Sequence, residues 1–272
     1  MTYTNVQTFN PDILYAFDPW NEAGHSSKYH AHEFMEISII LEGETDYRLE
    51  DEELRLGAGR IMLFNPGVYH SEQQPAHTYS HQLHIGINNI SLDGLPRNHF
   101  PNKKALLDLG EYHSQFLDKA WHLAKEFNEQ NEEFQLMGKA LLIEMLVLIL
   151  RSFSQRSNDL VDQTLSKSEK RKQNLVNQTI YYLENRYDQE ITLEQLAEIF
   201  YVSPTHLSKV FKEVTGSSPI NYLIQIRLKH AKTLLKNESA SIKEVAQTVG
   251  YEDAYHFSKL FKKYYGVAPS KV

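Results

Sequence analysis

The chain has 272 residues, enough for two domains with separate cores, and carries 28 Lys+Arg against 35 Asp+Glu for a net charge of −7. It has no cysteine, which excludes a disulfide framework and any thiolate metal site and fits a reducing cytoplasm. The longest apolar run, Leu141 to Leu150, is interrupted by Glu144 and too short to span a bilayer, and Met1 is not followed by a basic and apolar leader, so a soluble protein with no membrane partner is expected.

Residues 1 to about 100 read as strands: Phe34–Leu41, Thr45–Glu50, Glu53–Leu56, Arg60–Phe64 and His81–Ile87 are short apolar or alternating runs. Turn signals at Glu42-Gly43, Gly57-Ala58-Gly59 and Asn65-Pro66-Gly67 separate them, a spacing that predicts a sandwich or small barrel. After Pro101 the period becomes helical. Leu117, Trp121, Ala124 and Phe127 fall on one face of a first helix, and Phe134 to Phe153 forms a second. That second helix is apolar nearly all round, so it must be covered on more than one side, either by packing under the barrel alone or also by a second copy of the chain.

Ser152 to Asn174 is polar and marks the domain boundary, giving a first domain over 1–155, a linker over 156–173 and a second domain over 174–272. Charge divides at the same place. Residues 1–169 hold 13 Lys+Arg and 25 Asp+Glu, net −12, whereas residues 170–272 hold 15 and 10, net +5. A basic module joined to an acidic one is the pattern of a nucleic-acid-binding domain attached to something else.

The basic part states one unit twice. Leu196, Ala197, Leu207, Ser208, Lys209, Phe211, Lys212, Gly216 and Pro219 match Val245, Ala246, Phe257, Ser258, Lys259, Phe261, Lys262, Gly266 and Pro269, with one residue inserted at Gly250–Glu252. Thr192 and Ser241 cap short helices, with Gln195 and Glu244 three residues on completing capping boxes. Ser203 and Asp253 cap the second helices, and Pro204 takes a first helical position. Each copy is therefore a helix-turn-helix. Opposite the apolar stripe of each second helix stand Thr205, His206, Ser208, Lys209 and Lys212, then Tyr255, His256, Ser258, Lys259 and Lys262. In one copy such residues would read as an ordinary solvated face; in two matched copies they read as groups for base edges and phosphates of double-stranded DNA.

Residues 175–272 resemble the DNA-binding domain of the AraC/XylS family of bacterial transcription regulators. The resemblance rests on Ile191-Thr-Leu-Glu-Gln-Leu-Ala, on Arg227, Ala231, Leu234 and Leu235 of a joining helix, on Val245-Ala and Val249-Gly-Tyr, and on Phe257-Ser-Lys-Leu-Phe-Lys-Lys with Gly266-Val-Ala-Pro. It implies recognition residues Thr205, Ser208 and Lys209, then Tyr255, His256, Ser258 and Lys259, with His206 bordering a phosphate. The front half is similar to the family's cupin-like sensor, through His30-Ala-His32-Glu-Phe-Met-Glu36 with Gly43 and Gly59-Arg-Ile-Met-Leu-Phe-Asn-Pro66-Gly67-Val-Tyr-His70. The first string fits H-x-H-x3-E-x6-G throughout; the second departs by one residue between Gly and Pro and lacks the final Asn.

The fold expected is thus two-domain α+β: an N-terminal cupin-like β-barrel with trailing helices and a C-terminal all-α domain with two helix-turn-helix units. The resemblance implies a non-enzymatic, cytoplasmic, dimeric regulator answering a small-molecule effector, sugars being the commonest for this layout, with RNA polymerase as a further partner if it activates. His30, His32, Glu36, Tyr47, Tyr69, His70 and His84 are the expected effector contacts, and no cofactor is expected. His30, His32, Glu36 and His70 are also a chemically sound metal set. They support the alternative reading, a metal-dependent cupin enzyme carrying a DNA-binding domain.

Overall fold

The computed structural model describes residues 4, 9–49, 52–155, 166–235 and 241–272. It divides into two units, 1–166 and 167–272.

The first unit is built on one antiparallel sheet of strands β1 (Asp12–Phe17), β2 (Trp20–Glu22), β3 (Met35–Leu49), β4 (Glu52–Gly57), β5 (Ile61–Phe64), β6 (His70–Gln73), β7 (Tyr79–Asn88) and β8 (Leu106–Leu107). Its central path runs β1-β7-β3-β5-β8, with β2 on β7 and both β4 and β6 on β3. The two runs expected on either side of Glu42-Gly43 are a single 15-residue strand. The residues preceding that point pair with β5 and β7, and those after it pair with β4 and β6, so β3 belongs to both halves of the barrel. Gly43 is a bend rather than a turn. The register shifts between Ile40 and Glu42, Gly43 has φ 74°, and a Cβ there would strike the Tyr79 carbonyl.

Two helices follow, α1 (His113–Glu129) and α2 (Phe134–Gln155). The buried face of α1 is Phe116, Ala120, Leu123 and Ala124, one position round from the face expected, and Trp121 stays 40% exposed. On α2, Leu142, Met145, Leu146, Leu148 and Ile149 are fully buried in the core shared with Ile37, Leu63 and Ile85. Leu146 and Ile149 therefore face the sheet, and the outward positions are Leu136, Ala140, Ile143 and Val147.

The second unit contains α3 (Lys167–Asn185), α4 (Leu193–Ile199), α5 (Pro204–Thr215), α6 (Pro219–Leu235), α7 (Ile242–Thr248) and α8 (Ala254–Tyr265). Residues 167–173, read as linker from composition, form the first two turns of α3; 156–165 lie outside the described residues. Two small cores build the unit. Leu196, Leu207, Val210 and Phe211 pack with α3 in one, and Val245, Val249, Phe257 and Phe261 pack with Leu228 and Ala231 of α6 in the other.

Candidate DNA-reading helices and sensor cavity

The two copies agree in local detail as well as in sequence. Thr192 and Ser241 accept from the backbone N–H of Gln195 and Glu244, whose side chains accept in return from the Thr192 and Ser241 N–H groups. In both turns a backbone N–H reaches back to the alanine of the preceding helix: Val202 to Ala197 and Tyr251 to Ala246, each at 2.9 Å. Ser203 then caps α5 and Asp253 caps α8, so the inserted residue is Glu252.

Thr205, His206 and Lys209 on α5 and Tyr255, His256 and Lys259 on α8 are all exposed, while Ser208 and Ser258 are half-buried beside them. Ser258 donates its hydroxyl hydrogen to the Ala254 carbonyl at 2.8 Å, which leaves its oxygen as an acceptor only. The Lys259 ammonium lies 4.7 Å from the centre of the Tyr255 ring, which positions both on the outer face of α8. All eight residues expected to read DNA thus lie on the outer faces of the two second helices.

In the first unit, Tyr15, Phe17, Asn21, His30, His32 and Glu36 are among the residues lining a cavity of about 470 Å³. Tyr47, His70, Glu72 and His84 line it as well. Glu36 organises the polar wall. Its Oε2 accepts from the Tyr15 hydroxyl at 2.9 Å and lies 2.7 Å from His32 Nε2; its Oε1 accepts from the Ser38 hydroxyl at 3.0 Å and lies 3.1 Å from His84 Nδ1. Burial by itself would raise the pKa of Glu36, but hydrogen bonds from His32 and His84 outweigh it and hold the carboxyl far below the usual range. Burial, aided by the neighbouring Glu36 charge, pushes the Tyr15 phenol well up, so Tyr15 remains a donor. Burial also lowers the pKa of His70 in spite of Glu36.

Six of the seven expected effector contacts line this cavity. Tyr69 does not: it is 53% exposed and its ring packs on Tyr29 at 5.4 Å. Tyr47 is buried, with its hydroxyl already bonded to Gln82 at 2.9 Å and Glu72 at 3.3 Å, so it braces the wall. His81 is not among the lining residues; its Nε2 lies 2.9 Å from Asp18 Oδ2.

A family model described as the AraC-like ligand binding domain matches residues 18–146, and one for a helix-turn-helix domain matches residues 196–272. The HTH-type transcriptional activator RhaS of Escherichia coli O1:K1 / APEC is 26% identical over 256 residues, 89% of this chain and 86% of its own length. The chain belongs to the AraC family of transcriptional regulators. Among its relatives, the Msm operon regulatory protein of Streptococcus mutans is 25% identical over 238 residues, covering 86% of this chain and 82% of that protein. An uncharacterized HTH-type transcriptional regulator of Escherichia coli K12, YdiP, is 42% identical over 96 residues, 35% of this chain and 32% of its own.

As an AraC-family regulator the chain couples a ligand-binding domain to a DNA-binding one, and no helix of its described residues is long and apolar enough to cross a membrane. Several cavity residues of this regulator were not anticipated from sequence. Tyr15 and Phe17 come from β1, Asn21 from β2 and Glu72 from β6, strands too short or too polar to stand out by alternation. Phe17 is 51% exposed and stacks on His84 at 5.2 Å, leaving an apolar surface beside the polar wall.

Proposed function

We propose that this protein is a one-component cytoplasmic regulator, not an enzyme, whose N-terminal cavity takes a neutral polyhydroxylated effector such as a sugar. In this reading α5 and α8 enter successive major-groove segments, with Thr205, His206, Ser208 and Lys209 on the first and Tyr255, His256, Ser258 and Lys259 on the second as the DNA contacts. The observation that carries it is the pair of matched helices, each presenting hydroxyl, imidazole and ammonium groups on the face opposite its core. The enzyme alternative leaves that paired module without a role.

The effector class follows from the cavity wall. It offers carboxylate and imidazole acceptors, the Tyr15 hydroxyl oxygen and the Phe17 ring, and no Lys or Arg stands among its lining residues. A hydroxyl-rich neutral molecule finds partners there, whereas a carboxylate or phosphate ester meets the Glu36 and Glu72 carboxylates with no Lys or Arg side chain to pair with. Unequal affinity of the effector for two arrangements of the domains then shifts their populations.

A second copy of the chain would cover α2. Leu136, Ala140, Ile143 and Val147 recur at intervals of four, three and four on its outward side, the spacing of a helix-pairing seam, and Leu136 is 65% exposed. Such a dimer brings two DNA-binding domains to neighbouring half-sites, where RNA polymerase is the further partner if the protein activates.

The test is a thermal-shift screen of the full chain against neutral sugars and their acid and phosphate forms. A true effector at about 100 times its dissociation constant adds about 2.7 kcal/mol of stability. Stabilisation confined to the anionic forms would contradict the assignment of effector class.

A further inference from the structure

The first helix of the second unit carries charge that works against its own stability. Lys167, Lys170, Arg171 and Lys172 stand in the first two turns of α3, with Glu169 among them. Lys167 is three and four residues from Lys170 and Arg171, so like charges share one helix face, and all four cations sit at the positive end of the helix dipole. Both placements disfavour the helix. Lys167, Lys170 and Arg171 are exposed, so they add nothing to the core either. Residues that break a local rule without helping the packing are expected at functional positions.

These turns lie alongside α5. Val176 and Ile180 pack with Leu207 and Val210, and Lys172 Nζ donates to both carboxylate oxygens of Glu213 at 3.0 Å. Between α3 and the first helix-turn-helix is a cavity of about 450 Å³, lined among others by Ser168, Arg171, Lys172, Gln178, Val202 and His206. No Asp or Glu stands among its lining residues, so an oxyanion there meets guanidinium, ammonium and hydroxyl groups without a like charge. His206 is also exposed on α5, so the cavity adjoins the face assigned to DNA. The second copy lacks this arrangement. Its core takes Ile224, Leu228 and Ala231 from α6 where the first takes Val176, Ile180 and Leu183 from α3. In that alignment Ser218, Pro219 and Ile220 stand where α3 has Lys170, Arg171 and Lys172. A demand of helix-turn-helix packing would recur in both copies, so the cations serve something that the first copy alone meets.

We propose that Lys170 and Arg171 bind phosphates of the DNA backbone flanking the segment read by α5, which makes the first copy a sequence-independent anchor as well as a reader; this rests on the reading of α5 and α8 as DNA-reading helices. The forked donors of Arg171 suit the paired oxygens of a phosphodiester, and Lys170 adds a point charge. Contacts of this kind fix position on the duplex without distinguishing bases. Each releases condensed counterions, so its signature is a steeper loss of affinity with salt. Free inorganic phosphate shares the chemistry, and the test separates the two sources.

The experiment measures binding of the full chain by fluorescence anisotropy over about 50 to 200 mM salt. One duplex comes from upstream of its own gene and the other is a scrambled duplex of equal length. Lys170→Gln and Arg171→Gln, both at exposed positions, should each lower the slope of log affinity against log salt by about 0.9 on both duplexes. A fourfold rise in salt then costs each variant about 3.5-fold less affinity than it costs the native chain. The ratio of affinities for the two duplexes should stay native. Lys209→Ala should instead lower that ratio, and Lys125→Gln, at an exposed position on α1, should change neither quantity. Unchanged circular dichroism separates loss of contact from loss of fold. The proposal is overturned if both glutamine variants keep the native slope, or if they change the ratio and not the slope. It is also overturned if inorganic phosphate protects the native chain but not Arg171→Gln against heat while the two bind DNA alike, which assigns the site to a free anion. Native slopes in the glutamine variants, with Lys209→Ala still lowering the ratio, remove the anchor and leave the DNA-reading helices standing; Lys209→Ala without effect on the ratio counts against that reading instead.

Discussion

Arg227 on α6 donates from Nε to the Tyr187 carbonyl at 2.6 Å, and from Nη2 to the Gln189 carbonyl at 2.7 Å. Its guanidinium also lies 5.1 Å from the centre of the Tyr251 ring, in the turn of the second helix-turn-helix. One side chain thus joins the loop after α3 to the turn before α8. Burial lowers the Arg227 pKa, opposed by Tyr251 and Asp188, as expected for a cation inside the packing. Arg227 therefore serves the packing of this unit.

Gly250 should be intolerant of a side chain. Its φ is 86°, and a Cβ would stand 2.7 Å from the Asp188 carbonyl oxygen and 2.9 Å from Arg227 Nη2. Gly250→Ala is expected to destabilise the second unit by roughly 1–3 kcal/mol, read by calorimetry of the full chain. Tyr201 occupies the matching turn with φ 54° and is 95% exposed, so Tyr201→Gly should leave stability close to native. Equal losses in both variants would show that the two turns are not distinguished by the Arg227 contact.

Acid should loosen the second copy before the first. Hydrogen bonds from the Ser241 backbone and side chain hold the Glu244 carboxyl below its usual range. A depressed carboxylate pKa contributes stability above the unfolded value, about 4.3, and that contribution is lost as pH falls through the folded value. The first copy has Gln195 at this position, which does not titrate. Amide exchange should therefore accelerate in α7 relative to α4 on acidification below about pH 4.3, and Glu244→Gln should abolish the difference. A parallel response in the two helices would contradict the assignment.

Charges on the two sides of α2 should act differently. Val147→Glu faces outward and should give folded monomers by sedimentation, if α2 is the seam between two chains. Leu146→Glu faces the core at 0% exposure and should prevent folding. A native chain that sediments as a monomer at tens of micromolar, or a dimer unaffected by Val147→Glu, would remove the seam.

Local features were the readable ones. Capping boxes, the proline at the start of α5 and the apolar stripes of α5 and α8 depend on residues a few positions apart, and the structure forms them as written. The orientation of α2 was not readable. An apolar surface nearly all round does not say which side meets the sheet, so nothing in the sequence separates the buried Leu146 and Ile149 from the outward Val147. Gly43 was read as a turn because its sequence suits one; the long-range pairing of β3 with β7 makes it a bend. The cavity was legible at its histidines through their spacing, and illegible at Tyr15, Phe17 and Glu72, which reach it through cross-strand register.

The central claim is that α5 and α8 each read a segment of one operator. Footprinting of the full chain on DNA upstream of its own gene tests it most directly, with Lys209→Ala and Lys259→Ala alongside. The native chain should protect two major-groove patches about one helical turn apart, roughly 10–10.5 base pairs. Each variant should weaken one patch and relax discrimination at its bases, at a cost of roughly 1–3 kcal/mol against specific DNA. Two variants that weaken specific and random DNA to the same extent, with neither patch singled out, would contradict the claim.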